Sequence, residues 1–326
     1  MSLLTKASLL LTPNAYKANK LYCIVPSDGS GDLAYTRTST ATRVNSVGVV
    51  EAVSNGVPTL DYSEGLTSPC WLFEPSRTNS LLNSATLSTQ SVTTTAVPYS
   101  LSFYGTGTIV LSGSATGTFV GSGVSSRSKF TFTPTAGTLT LTVSGTCTNA
   151  QLEAGSYATS YITTTTTTRN RSGYTASETT ASSSIGQTEG VMFAESAALF
   201  NDLTTRHISI SNGTTSNRLS LFYSNASNRI SASIISGGTA IATLNYDIAD
   251  TTQFCKMAVR YSNTLGVSLW VNGANRASSV ATTLPISMTR FGFDNASATV
   301  FLGKVKNAGL YNTYLSDAEM VTLTTL

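Results

Sequence analysis

The chain has 326 residues, length enough for about two domains of ordinary size. Only 11% of its residues are charged, the net charge is +3, and Ser plus Thr come to 101, close to a third of the chain. This balance excludes nucleic-acid binding, which needs a basic cluster to neutralise phosphates, and 12 Phe, 14 Tyr and 2 Trp exclude a disordered chain.

Ala, Glu and Lys are sparse, while Thr, Val and Ile are abundant and suit a pleated surface. The composition therefore predicts an all-β protein with an uncharged polar skin. No apolar run approaches about 18 residues, so no membrane insertion is expected. The short run Leu9-Leu10-Leu11 has no small-residue cleavage site behind it and does not read as a secretory signal.

Residues 1–80 carry five of the eight prolines, at 13, 26, 58, 69 and 75. Turn signals stand at 28–32 and at Asn55-Gly56, with short extended pieces at 21–25 and 47–53. An irregular, extended region is expected. Asp28 and Asp32 make its loop oxygen-rich and a candidate calcium site, although the later bidentate Glu of an EF-hand is missing. The plainer reading is a solvated turn. Asp202 and Asp294 are similar loop candidates further on.

Residues 81–162 read as strand and turn. Leu139, Leu141 and Val143 alternate with threonines, Phe130 and Phe132 alternate likewise, and 134–137 turns between them. Several short strands at this spacing predict a jelly-roll-like β-sandwich. Six threonines at 163–168 then open a low-complexity stretch, 163–188, that reads as a linker, with a strand-rich neck pairing with copies of itself as the alternative. Residues 189–326 are again strand-rich, with Ile208/Ile210, Leu219/Leu221/Tyr223, Ile230/Ala232/Ile234, Met257/Val259/Tyr261 and Val267/Leu269/Val271 in period two. Asn272-Gly273 is a type I′ hairpin signal, and Ser316 to Glu319 spells a capping box for a short terminal helix.

Catalytic patterns are thin. His207 is the one histidine and begins an alternating strand, and no Gly-x-Ser-x-Gly elbow exists. Ser126 and Lys129 match Ser-x-x-Lys without its companion motifs, a coincidence common in a Ser-rich chain. The 8 Asp and 8 Glu are scattered, and no strand places two acids on one face as a glycosidase pair requires. Cys23, Cys70, Cys147 and Cys255 lie far apart, which argues against zinc and reads as four isolated thiols, with a Cys23–Cys70 disulfide as the alternative.

Three sets of residues carry a resemblance. Ala41-Thr42-Arg43-Val44-Asn45, Gly48-Val49-Val50-Glu51, Pro58-Thr59-Leu60-Asp61-Tyr62 and Leu72-Phe73-Glu74-Pro75-Ser76-Arg77-Thr78-Asn79 resemble the N-terminal module of bacteriophage tail and fibre proteins. Gln151-Leu152-Glu153-Ala154-Gly155 with Ala158-Thr159-Ser160-Tyr161-Ile162 resembles the closing strand of carbohydrate-binding-like sandwiches in the same proteins. Leu269-Trp270-Val271-Asn272-Gly273, Phe301 to Val305, Leu310-Tyr311-Asn312 and Leu315 to Glu319 are similar to concanavalin A-like, laminin G-type domains.

The resemblance implies a virion fibre subunit, of the kind seen as head fibres of crAss-like phages. Residues 1–80 would attach to other virion proteins, 81–162 would form a spacer sandwich, 163–188 a linker, and 189–326 a lectin-like sandwich facing outward. It also implies a homotrimer on the particle exterior, made in the bacterial cytoplasm; the likeness of 189–326 lies in core and turn residues, so lectin activity is not carried over with it, and host-surface or mucus glycans are expected as partners only from the outward placing of that sandwich. No cofactor is expected beyond a loop calcium.

Tyr223, Asn225, Asn228 and Arg229 gather at a predicted hairpin tip, and Trp270 stands beside another. Aromatic, amide and guanidinium groups suit polyhydroxyl recognition, although each also fits an ordinary turn or core role. Arg43, Asn45, Asp61, Glu74, Arg77 and Asn79 read as an internal hydrogen-bond and ion-pair lattice. The rival functions are a polysaccharide depolymerase and a decoration protein without ligand.

Overall fold

The alternating apolar and hydroxyl residues become strands, and the structure, a computed structural model, describes residues 2–65, 67–178, 180–280 and 283–326 of the chain. The strands build two β-sandwiches. In the smaller, strands Gly123–Phe132, Tyr99–Gly105 and Thr148–Ala154 form one sheet. Gly117–Val120, Thr108–Gly113, Gly137–Ser144 and Gln90–Thr94 form the other. Leu101, Phe103, Ile109, Leu139, Leu141 and Leu152 fill the core between them, while the threonines of Gly137–Ser144 alternate outward.

The larger sandwich has two halves. One contains Arg206–Ser211, Arg218–Tyr223, Arg229–Ser236 and Thr239–Asp247, joined by Arg290–Gly292. The other contains Glu189–Ala198, Cys255–Ser262, Gly266–Val271, Ala274–Ser279 and Gly303–Tyr311. Ile208, Leu219 and Ile230 from the first share a core with Met192, Val259 and Leu269 from the second. Asn272 and Gly273 take φ of 49° and 79°, the left-handed pair of a type I′ turn. The terminal helix Asp317–Thr324 starts on the Ser316–Glu319 capping box and covers the outer face of this half, burying Phe193, Trp270 and Tyr311.

The strand pairing crosses the boundaries expected from composition. Leu9–Lys17, Lys20–Val25 and Leu33–Thr36 lie inside the larger sheet, between its two halves. Leu9 pairs with Leu310, and Leu10 with Gly309. The stretch 163–188 also pairs. Arg169–Arg171 adds to Arg77–Asn79, and Thr175–Glu178 runs between Leu33–Thr36 and Arg290–Gly292. Within that stretch the threonine run 163–168 has no helix or strand. The reason is physical: these segments bury only a few spaced residues, such as Leu9, Leu11, Tyr35, Tyr174 and Ala176, and their partners lie far away in the chain. Local composition records neither fact.

Leu9, Leu11, Leu21 and Leu33 are fully buried. Each such side chain contributes about 1.5–3 kcal/mol, so together they rival the net stability of a whole domain. A fragment of residues 189–326 alone is therefore expected to show no cooperative thermal transition by circular dichroism, whereas the full chain shows one. A sharp transition in the fragment would refute this account of the sheet.

A cleft between the sandwiches as candidate functional site

Strand Cys70–Phe73 ends at Glu74, which is buried where three parts of the chain meet. Its carboxylate accepts from Ser160 N and Oγ, both at 2.6 Å, and pairs with Arg171 at 2.9 Å. Arg171 also donates to Pro75 O at 2.7 Å. Beside them Glu153, fully buried, accepts from Gln151 Nε2 at 2.6 Å and from Thr159 N and Oγ1 at 2.8 and 2.7 Å. Arg77 stands 3.8 Å from Glu153 and stacks over the Tyr157 ring.

Asn79 is fully buried and satisfies four backbone groups: its amide donates to Ala150 O and Ile162 O and accepts from Leu81 N and Leu152 N. Asp61 accepts from Val44 N, Ser63 N and Ser63 Oγ. Arg43 pairs with Glu51 at 2.7 Å, and Asn45 joins Glu51 while closing the turn at Val47 and Val49. Asn45, Asp61, Glu74 and Asn79 therefore bind backbone groups, while Arg43 and Arg77 bind the side chains of Glu51 and Glu153.

The lattice borders a cleft of about 480 Å³, within the size range of small-ligand sites. One side comes from the smaller sandwich, with Tyr104, Arg127 and Lys129; the other comes from Arg43, Asp61, Tyr62, Glu64 and Lys304. Strand alternation sets the first side: Phe130 and Phe132 pack on the smaller core, so Arg127 and Lys129 share the opposite face. Arg127 donates to Thr159 O at 2.5 Å and Ser102 Oγ at 2.7 Å. Enclosure by the cleft walls, and then Arg127, lower the pKa of the Lys129 ammonium. The sequence pattern that signals this pair is two cations at i and i+2 on a strand. In the sequence alone Lys129 stands out only through Ser-x-x-Lys, and no hydrogen bond joins it to Ser126 among the described residues.

The residues expected to bind sugar do not converge. Asn225, Asn228 and Arg229 do share a hairpin tip, where Ser224 N bonds Arg229 O. There Arg229 is clamped by Asp247 at 2.6 and 3.0 Å, and Asn228 Oδ1 accepts from Asn201 Nδ2 and Thr251 N. Tyr223 turns inward instead, is buried, and bonds Ser196 and Cys255. Trp270 lies on the other half of the sandwich under the terminal helix. Its Nε1 donates to Ser268 Oγ at 2.9 Å, and Arg260 stacks on its ring at 5.3 Å. Neither aromatic face is open to a sugar ring.

The proposed calcium loops have their oxygens engaged. Asp28 Oδ1 accepts from Ser30 N and Oγ, while Asp32 is buried, accepts from Cys23 N and lies 3.4 Å from Lys20. Asp202 pairs with Arg206 and Asp294 with Arg290. Among the described residues no three His, Cys, Asp or Glu side chains gather as a metal site. All four cysteines are free and buried.

Every one of the 16 carboxylates receives a hydrogen bond or ion pair from the chain. Three of them, Asp61, Glu64 and Glu74, line the cleft. A glycosidase acid must hold or release a proton at the scissile bond. Glu74 is tied to Arg171 and Ser160, Glu64 to Lys304, and Asp61 to three donors.

No family model matches the chain, and no curated protein does. Among solved structures, it is similar to the Ruminococcus gnavus IT-sialidase CBM40 bound to α2,3-sialyllactose, at 18% identity and TM-score 0.38, over 43% of this chain and 84% of that one. It is also similar to the leech intramolecular trans-sialidase, at 16% identity and TM-score 0.36, over 43% of this chain and 24% of that one. The binding domain of botulinum neurotoxin serotype G stands at 11% identity and TM-score 0.34, over 46% and 42%.

Removing one partner of the buried Glu74–Arg171 pair strands the other charge, so Glu74→Gln and Arg171→Met should each cost about 3–5 kcal/mol by urea unfolding. The double variant should cost less than the sum, whereas Arg43→Ala, at a half-exposed pair, should cost no more than about 1 kcal/mol. Additive losses in the first pair would contradict the coupling.

His207 gives a pH test. It is buried and stacked on Phe222 at 4.3 Å, and burial, then Arg218, push its pKa down to about 4. The unfolded chain binds this proton first, near the ordinary 6.5, so the stability is complete above that pH and falls as pH drops towards 4. The loss is up to about 3 kcal/mol. A His207→Gln variant should flatten that slope in unfolding curves between pH 7 and pH 4; an unchanged slope would assign it to other groups.

Proposed function

We propose that the chain is a non-catalytic structural subunit of a phage fibre, exposed on the particle, that binds host-surface or mucus glycans through the cleft between its sandwiches. The observation that carries the binding half is the cleft itself. It is of ligand size, lined by Ser125 and Ser126 and by the tyrosines Tyr62 and Tyr104, and its acids are already engaged by the chain. Such groups recognise polyhydroxyl ligands by hydrogen bonding and ring contact.

The fibre half is supported by the motif resemblance over residues 41–79, whose polar members form the lattice that borders the cleft. Its N-terminal strands sit inside the larger sheet. Contacts with other virion proteins would therefore fall to exposed parts of residues 1–80, such as the turn bearing Val47 and Val49. Self-association as a homotrimer belongs to the same reading.

The test is a glycan array probed with the purified full chain, paired with light scattering and a reducing-end assay on bound polysaccharides. The expected result is glycan capture, a mass about three times that of one chain, and no release of reducing ends. A silent array would refute the binding half, and a monomer would refute the fibre half. Cleavage would favour a depolymerase using the three cleft carboxylates.

A further inference from the structure

Most charges around the cleft are neutralised in place. Arg43 meets Glu51, Lys304 meets Glu64, and Arg171 meets Glu74. Two cations are not. Among the described residues neither Arg127 nor Lys129 has a carboxylate within ion-pair distance, and the Lys129 ammonium makes no hydrogen bond. Arg127 uses its two terminal nitrogens on Thr159 O and Ser102 Oγ, and its Nε is buried without a partner. The remaining cleft acid without a cation, Asp61, has its oxygens filled by Val44 and Ser63.

A chain with so little charge has placed two unpaired cations side by side on one strand face, pointing into a ligand-sized cavity. They lie two residues apart, about 6.5–7 Å along the strand, a spacing at which one carboxylate can lie between two extended side chains. An anion arriving there gains charge-assisted hydrogen bonds that the chain itself does not supply. Arg127 is held in place by its two existing bonds, so little side-chain entropy remains to be lost on binding.

Resting on the glycan-binding reading above, we infer that the cleft selects carboxylate-bearing saccharides, with Lys129 and Arg127 receiving the carboxylate and the neighbouring hydroxyls and tyrosines receiving the sugar. Lys129 is the specificity-determining residue of the two, because among the described residues its ammonium makes no hydrogen bond or ion pair, whereas Arg127 already holds Thr159 and Ser102.

The test uses calorimetric titration of the full chain with three acidic probes: trigalacturonate, a hyaluronan tetrasaccharide and 3′-sialyllactose. Their neutral counterparts are the methyl esters and lactose. At least one acid is expected to bind about tenfold or more tightly than its neutral partner, the factor that one charge-assisted contact supplies. Lys129→Gln should remove that preference and leave the thermal transition unchanged, and Lys129→Glu should reverse it.

Equal affinity for acid and ester, or an unchanged preference in Lys129→Gln, would overturn the inference. If a glycan array then still shows neutral sugars bound, the anionic inference fails alone; if the array is silent as well, the binding reading fails with it. Equally tight binding of a DNA oligonucleotide or dextran sulfate would show a general polyanion surface, which also overturns selection for a sugar carboxylate.

Discussion

The structure depends on the buried pair of Glu74 and Arg171. Glu74 follows a strand of the larger sandwich, Arg171 lies in the threonine-rich stretch, and Ser160, which both of them contact, follows the last strand of the smaller sandwich. One ion pair thus fixes three segments at a point. Burying two charges in this way gives weak net stability, but breaking the pair is costly, and its directed bonds accept few alternative packings. The neighbouring Glu153 and Asn79 extend the same logic. Glu153 takes up Thr159 N of a loop, and Asn79 takes up Ile162 O of the same loop together with Ala150 O and Leu152 N on the outer edge of strand Thr148–Ala154.

This explains how a chain with so few charges uses them. In an ordinary surface most acids and bases are solvated and contribute little. Here the carboxylates are committed to caps, turns and pairs, as with Glu319 in the terminal capping box and Asp28 in its turn. The hydroxyl side chains take the solvent-facing work instead, alternating outward along strands such as Gly137–Ser144. Among the described residues, each carboxylate that lines the cleft is engaged by the chain, so its walls are polar but internally bonded.

Much of the fold was legible in the sequence because strand alternation is local. Ile208, Leu219 and Leu269 announced their strands, Asn272-Gly273 its turn and Ser316 to Glu319 its helix. Two things were not legible. The first is the insertion of Leu9–Thr36 and Thr175–Glu178 into the larger sheet, since pairing between residues 9 and 310 leaves no mark on a local window. The second is the cleft, which exists only because distant segments meet. The aromatic residues that drew attention, Tyr223 and Trp270, follow the apolar side of the same alternation rule: Tyr223 fills the main core and Trp270 the space beneath the terminal helix. The polar residues of residues 41–79 are different. Glu74 follows one short strand and Asn79 ends another, both buried groups too polar to bury unpaired, and that conflict is itself a sign of a satisfied internal network.

The position of the cleft follows from the same polar joint. An apolar interface between the sandwiches would close down to native packing density and leave no room. The facing surface of the smaller sandwich instead carries Ser100, Ser102, Gln151 and Glu153, which are buried but oriented by hydrogen bonds. Directed bonds hold the two bodies at a set separation, and the space left beside them is the cleft. Arg127 belongs to both systems, bonding the joint through Thr159 and Ser102 while lining the cavity. The network that joins the sandwiches therefore also holds one wall of the cleft in place.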